Sequence, residues 1–246
     1  MDLILDLIIV GLTYLYVFAT ILIPVQLKKK EKINKFQARK AVHLFAGLSV
    51  LSTPYYSWPW WAVFIASSLT ILTLLSSKKS KVKQLKDLYY SIGEEEEEQV
   101  GYLQGPFHYC LSITLLITFF VIFAPDQMYF PISGILLMII SDTLASIIGK
   151  KYGRIKIKVP WVHSIRTLEG SAAFFISGFL LCLFAFTVLG VSNPLTQAHI
   201  SIELALLYSL ITSAFATLVE IISPSTWDDL TVPIITTLVI FLITLI

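Results

Sequence analysis

The chain is divided into long apolar blocks, and their length constrains its fold more than any other feature. Most blocks run for about 17–25 residues, the length that a helix rising about 1.5 Å per residue needs to cross roughly 30 Å of hydrocarbon. Of the 246 residues, 56% are hydrophobic and only 14% are charged, whereas soluble domains carry about 25% charged residues. The sequence therefore predicts an all-α integral membrane protein and argues against a soluble enzyme, a fibrous protein or a disordered chain.

Eight apolar blocks can be marked along the sequence. They span residues 3–23, 42–57, 59–76, 106–124, 131–149, 169–190, 200–222 and 230–246. The first block lacks a basic leader and a small-residue cleavage site, so we expect a retained helix and not a signal peptide. We expect residues 1–246 to form a single polytopic membrane domain.

The distribution of basic residues predicts how these helices are oriented. All 18 Lys and Arg residues fall in the first, third and fifth connections and their flanks, between residues 28–40, 78–86 and 150–166. Because basic connections stay in the cytoplasm, we expect eight transmembrane helices, both termini outside, and active-site loops facing the cytoplasm. The membrane would be the plasma membrane in a prokaryote, or the endoplasmic reticulum or plastid membrane in a eukaryote. We expect the lysine clusters to contact acidic lipid headgroups, and we expect no nucleic-acid partner.

Acidic residues inside apolar blocks need a physical reason. A charged side chain within a spanning helix costs at least about 2.5–3.5 kcal/mol on insertion scales. Asp142 and Glu220 lie inside blocks near their predicted cytoplasmic ends. Asp6 and Glu203 lie near outer edges, where we expect water to reach them. The run Glu94–Glu98 is expected to be a solvated acidic stretch in a flexible loop.

Five separate segments place acids, bases and glycines on the predicted cytoplasmic side. Mg²⁺ prefers oxygen ligands, a transferring phosphoryl group needs Lys or Arg against its negative charge, and glycine permits close backbone approach. The candidate oxygen ligands are Asp142, Glu169, Glu220, Asp228 and Asp229; the candidate cations are Arg39, Lys40, Lys150, Lys151, Arg154 and Arg166; the candidate glycines are Gly149, Gly153 and Gly170. This combination favours phosphoryl transfer.

Taken singly, most of these features have simpler explanations. Residues 149–154 read GKKYGR, which lacks the spacing of a Walker A loop and suits a glycine cap with basic residues at a helix C-terminus. Asp228 and Asp229 can cap a helix N-terminus, and His43 can be an interfacial hydrogen-bonding residue. Asp142 differs, because a carboxylate inside a spanning helix requires a partner whether its role is structural or functional.

Four motifs follow one another between residues 39 and 233. They are Arg39-Lys40 with His43 and Gly47, then Gly105-Pro106-Phe107-His108-Tyr109, then Ser141–Gly153 with Arg166–Ser171, and finally Glu220 with Asp228–Pro233. Together they resemble the CTP-dependent polyprenol kinase family, which includes dolichol kinase, phytol kinase and CTP-dependent diacylglycerol kinases. The first helix lies outside this match as an accessory element. Arg166 stands where many members have Lys, and Asp229 stands where many have Asn, which adds a negative charge beside Asp228.

The resemblance implies transfer of the γ-phosphate of CTP to the hydroxyl of a polyprenol, dolichol, phytol or geranylgeraniol, with Mg²⁺ or another divalent cation as cofactor. It implies catalytic roles for Asp142, Glu169 and His43, and metal ligation by Asp142, Glu220, Asp228 and Asp229. The nucleotide-binding residues would be Arg39, Lys40, Gly149, Lys150, Lys151, Gly153, Arg154, Arg166, Thr167 and Gly170. CTP, the lipid alcohol and membrane lipids are the expected partners.

Three other functions compete with this one. A CTP-dependent diacylglycerol kinase would use another acceptor, and a phosphatidate cytidylyltransferase-like enzyme would attach CMP to a lipid phosphate and release pyrophosphate. A lipid transporter would use Asp142 and Glu220 as coupling groups. The sequence disfavours the transporter, because the charges gather at one face and no inverted repeat is visible. The GPFHY and DDLTVP segments favour a prenyl alcohol over diacylglycerol.

Overall fold

The computed structural model of the chain describes residues 3–162, 165–192, 196–224 and 227–245, without the side chains of residues 95, 96 and 98. These residues are helical apart from short turns, connections and one pair of two-residue strands. The chain divides into two compact units, Met1–Leu115 and Leu116–Ile246. The single membrane domain stays a prediction.

The first unit is built from helices joined by short connections. They are α1 (Leu3–Lys29), α2 (Lys35–Gly47) followed by a 3₁₀ segment (Leu48–Tyr55), α3 (Trp60–Leu75), α4 (Lys83–Ile92), α5 (Glu95–Val100) and the first part of α6 (Gln104–Phe123). A capping box begins α2: the Asn34 side chain accepts from the Gln37 N–H at 2.8 Å, and the Gln37 side chain accepts from the Asn34 N–H at 3.0 Å. The buried core of this unit includes Val25, Ala38, Leu88, Tyr89, Ile92 and Leu103.

The second unit contains all four carboxylates that were predicted as metal ligands. Its elements are α7 (Tyr129–Leu136), a π-helical turn (Leu137–Ser141), α8 (Asp142–Tyr152), β1 (Lys156–Ile157), β2 (Arg166–Thr167), α9 (Leu168–Ala185), a second π-helical turn (Phe186–Val191), α10 (Ile202–Ile222) and α11 (Asp228–Ile243). The two strands pair antiparallel. A π turn interrupts the regular helix and is frequent at functional sites, and the first of them ends immediately before Asp142.

Within the described residues, five helical segments are long and apolar enough to span a membrane by length and composition. They are Leu3–Lys29, Gln104–Phe123, Tyr129–Tyr152, Leu168–Val191 and Ile202–Ile222. The helices α3 and α11 have 16 residues each, about 24 Å at 1.5 Å per residue. The predicted block 42–57 is divided between α2 and the 3₁₀ segment. The class of helical integral membrane protein is confirmed, while eight spans and their orientation stay predictions.

Two predictions about acidic residues were wrong. Asp6 is fully buried, because its carboxylate accepts from the backbone N–H groups of Ser57 at 2.8 Å and Trp58 at 3.0 Å. The glutamate run is not a flexible solvated loop, since it forms most of α5 and Glu97 is only 2% exposed. Glu203 is exposed, as expected. Distance from the ends of an apolar block therefore did not decide which carboxylates are buried.

Candidate functional site

One pocket in the second unit is lined by four carboxylates. Asp142 begins α8, Glu220 lies in the last turn of α10, and Asp228 and Asp229 lie in the first turn of α11. The apolar part of the lining is Met138, Phe174 and Val232. The structure thus brings together all four residues that were predicted as metal ligands.

Arg166 on β2 pairs with two of these carboxylates. Its Nη1 lies 2.9 Å from Oε1 of Glu220, and its Nη2 lies 2.9 Å from Oδ2 of Asp228. The Arg166 side chain is 14% exposed and that of Glu220 is 3% exposed. Burial alone would lower the pKa of Arg166, but the nearby carboxylates of Glu220, Asp228 and Asp142 outweigh it and raise that pKa. The guanidinium therefore stays charged, and it contacts carboxylates although it was predicted to contact phosphates.

Helix ends explain why these acids need a cation. The carboxyl end of a helix carries partial negative charge, which disfavours a carboxylate such as that of Glu220 in the last turn of α10. The amino end carries partial positive charge, which favours Asp228 and Asp229 in the first turn of α11. Arg166 compensates Glu220 directly, so the pocket combines one carboxylate at an unfavourable helix end with two at a favourable one.

The residue types in the pocket fit a divalent cation. Oε2 of Glu220 is buried and has no hydrogen-bond partner among the described residues, and a buried polar atom without a partner requires an explanation. Asp142, Asp228 and Asp229 offer further oxygens of the kind that Mg²⁺ prefers. Within the described ranges, no three His, Cys, Asp or Glu side chains form a preassembled metal site. Mg²⁺ is usually held by one or two carboxylates together with substrate phosphates, so these side chains have the chemistry to hold a metal that arrives with a phosphate ligand.

Three of the predicted cations lie at the opposite end of α8 from Asp142. Lys150, Lys151 and Arg154 are exposed, and eight residues of helix separate Lys150 from Asp142 by about 12 Å. The Lys151 ammonium lies 5.1 Å from the centre of the Tyr152 ring. The structure therefore brings Arg166 into the acidic pocket and leaves these three on an exposed basic surface at the end of α8.

The predicted glycines lie where α8 packs against the start of α9. A Cβ atom on Gly170 would lie 3.0 Å from the carbonyl oxygen of Ala145 and 3.4 Å from the Cα of Gly149. A Cβ atom on Gly153 would meet the Gly149 carbonyl and lie 2.5 Å from Cγ2 of Thr167. Small residues permit such close helix crossings in membrane proteins. These glycines thus have a packing role, and their contact with a nucleotide stays a prediction.

Alanine at Gly153 is expected to destabilise the protein by about 1–3 kcal/mol, because the added methyl group overpacks the contact with Thr167. The matched control is Gly11→Ala, since among the described residues no heavy atom lies within 4 Å of a Cβ at Gly11. In the interior of α1 that control is expected to be neutral or stabilising by up to about 1 kcal/mol. Thermal unfolding of the purified variants measures both effects, and equal unfolding temperatures would contradict the packing role of Gly153.

Thr167 and Glu169 organise the connection that follows α8. Oγ1 of Thr167 accepts from the Gly170 N–H at 3.1 Å and so caps the N-terminus of α9. Oε1 of Glu169 accepts from the N–H groups of Arg154 at 3.0 Å and Ile155 at 3.3 Å. Neither side chain lines the acidic pocket. The predicted catalytic role of Glu169 and the nucleotide contact of Thr167 therefore remain predictions, beside the hydrogen bonds that the structure shows.

The first unit contains a second buried ion pair, which joins α2 to the start of α6. Nη1 of Arg39 donates to Oε2 of Glu97 at 2.8 Å and to the Ile92 carbonyl at 3.2 Å. Oε1 of Glu97 accepts from the Gly105 N–H at 2.7 Å. The Arg39 side chain, predicted to bind nucleotide, is 15% exposed and thus contacts a protein carboxylate. The sequence analysis missed Glu97, and its one local signal is the capping-box spacing from Glu94, whose N–H donates to Oε2 of Glu97 at 2.8 Å.

Two of the four family motifs contact each other in the first unit. The ring of His43 lies 4.4 Å from the ring of Tyr109, measured between centroids, and the Tyr109 hydroxyl donates to the His43 carbonyl at 2.9 Å. Lys40 precedes His43 on α2 and is half-buried. These contacts hold the GPFHY segment against α2. A catalytic role for His43 and a nucleotide contact for Lys40 stay predictions.

The fold and the pocket define a class, that of helical membrane proteins with a charged pocket between their helices. No family model matches the chain. It is 28% identical to a probable chloroplastic phytol kinase of Triticum aestivum over 88% of this chain and 70% of that protein. It is 29% identical to phytol kinase of Synechocystis over 73% of this chain and 74% of that protein.

A third similar protein is the dolichol kinase of Saccharomyces cerevisiae. The two chains are 33% identical over 178 residues, which is 69% of this chain but 32% of that protein. The match therefore spans about a third of the length of the yeast enzyme. The chain is a relative of the phytol and dolichol kinases, which confirms the resemblance to the polyprenol kinase family.

Proposed function

We propose that this protein is a membrane kinase that transfers the γ-phosphate of CTP to the hydroxyl of a long-chain lipid alcohol. Kinase activity on a lipid alcohol is supported by the relatives, which are named phytol kinase and dolichol kinase. The choice of CTP rests on the resemblance of the four motifs. The observation that carries the proposal is the pocket that gathers Asp142, Glu220, Asp228 and Asp229 from three helical segments.

The pocket and the end of α8 would have different tasks. Asp142, Glu220, Asp228 and Asp229 would hold a divalent cation, which when bound neutralises charge on the phosphates. The exposed cations of α8, Lys150 and Lys151 among them, would pair with the nucleotide phosphates. This division is supported by the distance between the two ends of α8.

The transfer itself exchanges one phosphorus–oxygen bond for another. The bond between the γ-phosphorus and the oxygen shared with the β-phosphate breaks, a bond to the lipid oxygen forms, and CDP leaves. The hydroxyl proton passes to a carboxylate, and Asp142 is our candidate for it because it lines the pocket at the start of α8. Arg166 would hold the carboxylates of Glu220 and Asp228 in place during this step.

The surface of the second unit supports a lipid acceptor. Large apolar side chains on α9 and α10 are exposed, among them Ile176, Leu180, Leu207 and Leu210. A lipid tail can lie against such faces within the bilayer. Because Glu220 and Asp228 lie at the ends of their helices, an acceptor hydroxyl at the edge of the hydrocarbon would be near the pocket.

The proposal is tested with purified protein, γ-labelled CTP, Mg²⁺ and a panel of acceptors: phytol, geranylgeraniol, farnesol, a dolichol-type polyprenol and diacylglycerol. Label is expected in a prenyl monophosphate, and chelation of the metal is expected to remove at least about 90% of it, since the phosphates then lack their main counter-ion. Label only in the diacylglycerol product would contradict the prenyl acceptor and support the competing lipid kinase. No labelled lipid with folded protein would contradict the kinase.

A further inference from the structure

We infer that Arg166 is a positioning residue, which holds the carboxylates of Glu220 and Asp228 in place as an internal counter-ion and does not bind the phosphates of the nucleotide. The sequence had assigned Arg166 to nucleotide binding together with the lysines of α8. The role of Arg166 in metal binding during phosphoryl transfer rests on the proposed function. The role of Arg166 in the stability of the pocket is independent of the proposed function.

The first argument is the use of both terminal nitrogens. Nη1 contacts the carboxylate of Glu220 on α10, and Nη2 contacts that of Asp228 on α11, each at 2.9 Å. Nη2 also donates to the Ser223 carbonyl at 3.4 Å. The planar guanidinium is suited to bridging two acceptors in this way. Both terminal nitrogens thus contact protein acceptors, and the remaining nitrogen, Nε, is buried. A phosphate that took the place of either carboxylate would break one of these ion pairs.

The second argument is the cost of such a displacement. Glu220 is 3% exposed, and its second oxygen, Oε2, has no hydrogen-bond partner among the described residues. Removing Arg166 from Oε1 would leave a buried carboxylate with neither oxygen paired to the cation. An uncompensated buried charge is strongly unfavourable. Lys150 and Lys151 are exposed, so phosphates can reach them without this loss.

The third argument is the way in which the backbone fixes Arg166. Arg166 pairs with Ile157 in the β1–β2 hairpin. The connection between the strands is itself attached to α10, because the indole N–H of Trp161 donates to the Ile222 carbonyl at 3.0 Å. Both the strand and the end of α10 thus hold Arg166 beside Glu220. These two contacts suit a residue that positions other groups.

The stability of the protein without nucleotide or metal tests the inference first. Arg166→Met is expected to lower the unfolding temperature by about 6–15 °C, because it leaves the buried carboxylate of Glu220 and the partly buried one of Asp228 without their cation. Arg166→Lys keeps the charge and is expected to recover most of that loss. Lys158→Met is the matched control, since Lys158 is an exposed cation in the same connection, and no shift is expected.

A second variant keeps this test decisive if Arg166→Met does not fold. Adding Glu220→Gln to Arg166→Met removes the more buried of the two unpaired charges, so the double variant is expected to fold and to recover at least half of the lost unfolding temperature. A wild-type unfolding temperature for Arg166→Met would overturn the inference. A double variant that is no more stable than Arg166→Met alone would also overturn the inference. The loss of stability would then not come from the unpaired carboxylate of Glu220.

Kinetics of Arg166→Lys then separate positioning from phosphate binding. A single ammonium cannot reproduce the two-pronged contact, so the Mg²⁺ concentration for half-maximal activity is expected to rise at least fivefold, with the KM for CTP changed less than twofold. The reverse result, a fivefold higher KM for CTP at an unchanged Mg²⁺ requirement, would overturn the inference. If the wild type phosphorylates no lipid alcohol, the proposed function fails, while the unfolding temperatures still decide the role of Arg166 in the pocket.

Discussion

Asparagine at position 142 is expected to reduce lipid kinase activity by about 10²–10⁴-fold, the range in which a positioned acid–base group contributes. Asn has almost the shape of Asp, so the start of α8 is expected to keep its structure. It loses the negative charge that faces Arg166 and the carboxylate that would accept the hydroxyl proton. Initial rates with labelled CTP at saturating acceptor measure the effect.

The matched control for this variant is Glu203→Gln, which makes the same chemical change in an acidic residue of the same unit. Glu203 is exposed in the first turn of α10, the opposite end of that helix from Glu220. Its replacement is expected to leave the rate within about twofold, as expected for surface changes away from the site. An Asp142→Asn protein with more than half of the wild-type rate would remove Asp142 from the mechanism.

Alanine at Glu97 is expected to lower the free energy of unfolding by about 3–5 kcal/mol, the cost of breaking a buried ion pair from one side. The change leaves the Arg39 guanidinium without its 2.8 Å partner and removes the acceptor of the Gly105 N–H. An unsatisfied buried donor adds its own desolvation cost. Denaturant unfolding of the purified protein, followed by helical circular dichroism, measures the difference.

The same unit offers a surface ion pair as control. Asp87 lies 2.6 Å from the ammonium of Lys29, with side-chain exposures of 29% and 39%. Exposed pairs of this kind contribute about 0–1 kcal/mol, so Asp87→Ala is expected to cost less than about 1 kcal/mol. If Glu97→Ala cost no more than Asp87→Ala, the buried pair would not be a main support of the first unit.

The sequence was sufficient to predict the acidic pocket because hydrocarbon makes charge expensive. Asp142 and Glu220 were conspicuous as carboxylates inside apolar blocks, and Asp228 and Asp229 begin the last block. Their convergence in one pocket was expected because all of them were placed on the same predicted side of the membrane. The helical class was predictable for the same reason, since the apolar blocks have the length of spanning helices.

The partners of the charged residues were not predictable in the same way. Arg166 and Arg39 were assigned to phosphates from their charge and motif, but each contacts a carboxylate that is distant in sequence. Glu97 was concealed in a run of five glutamates, in which composition indicates only solvation. Asp6 accepts hydrogen bonds from a turn some fifty residues later. Such pairings depend on tertiary packing, which the hydropathy of a segment does not encode.

The most direct measurement of the central claim is a paired labelling experiment with a prenyl alcohol, Mg²⁺ and the purified protein. CTP labelled on the γ-phosphorus is expected to give a labelled lipid monophosphate, and CTP labelled on the α-phosphorus is expected to give none. A further reaction replaces the prenyl alcohol with phosphatidate. If the lipid then acquires label from the α-phosphorus of CTP, the protein carries out nucleotidyl transfer in place of phosphoryl transfer. That result, or an unlabelled lipid in every reaction, would contradict a lipid-alcohol kinase.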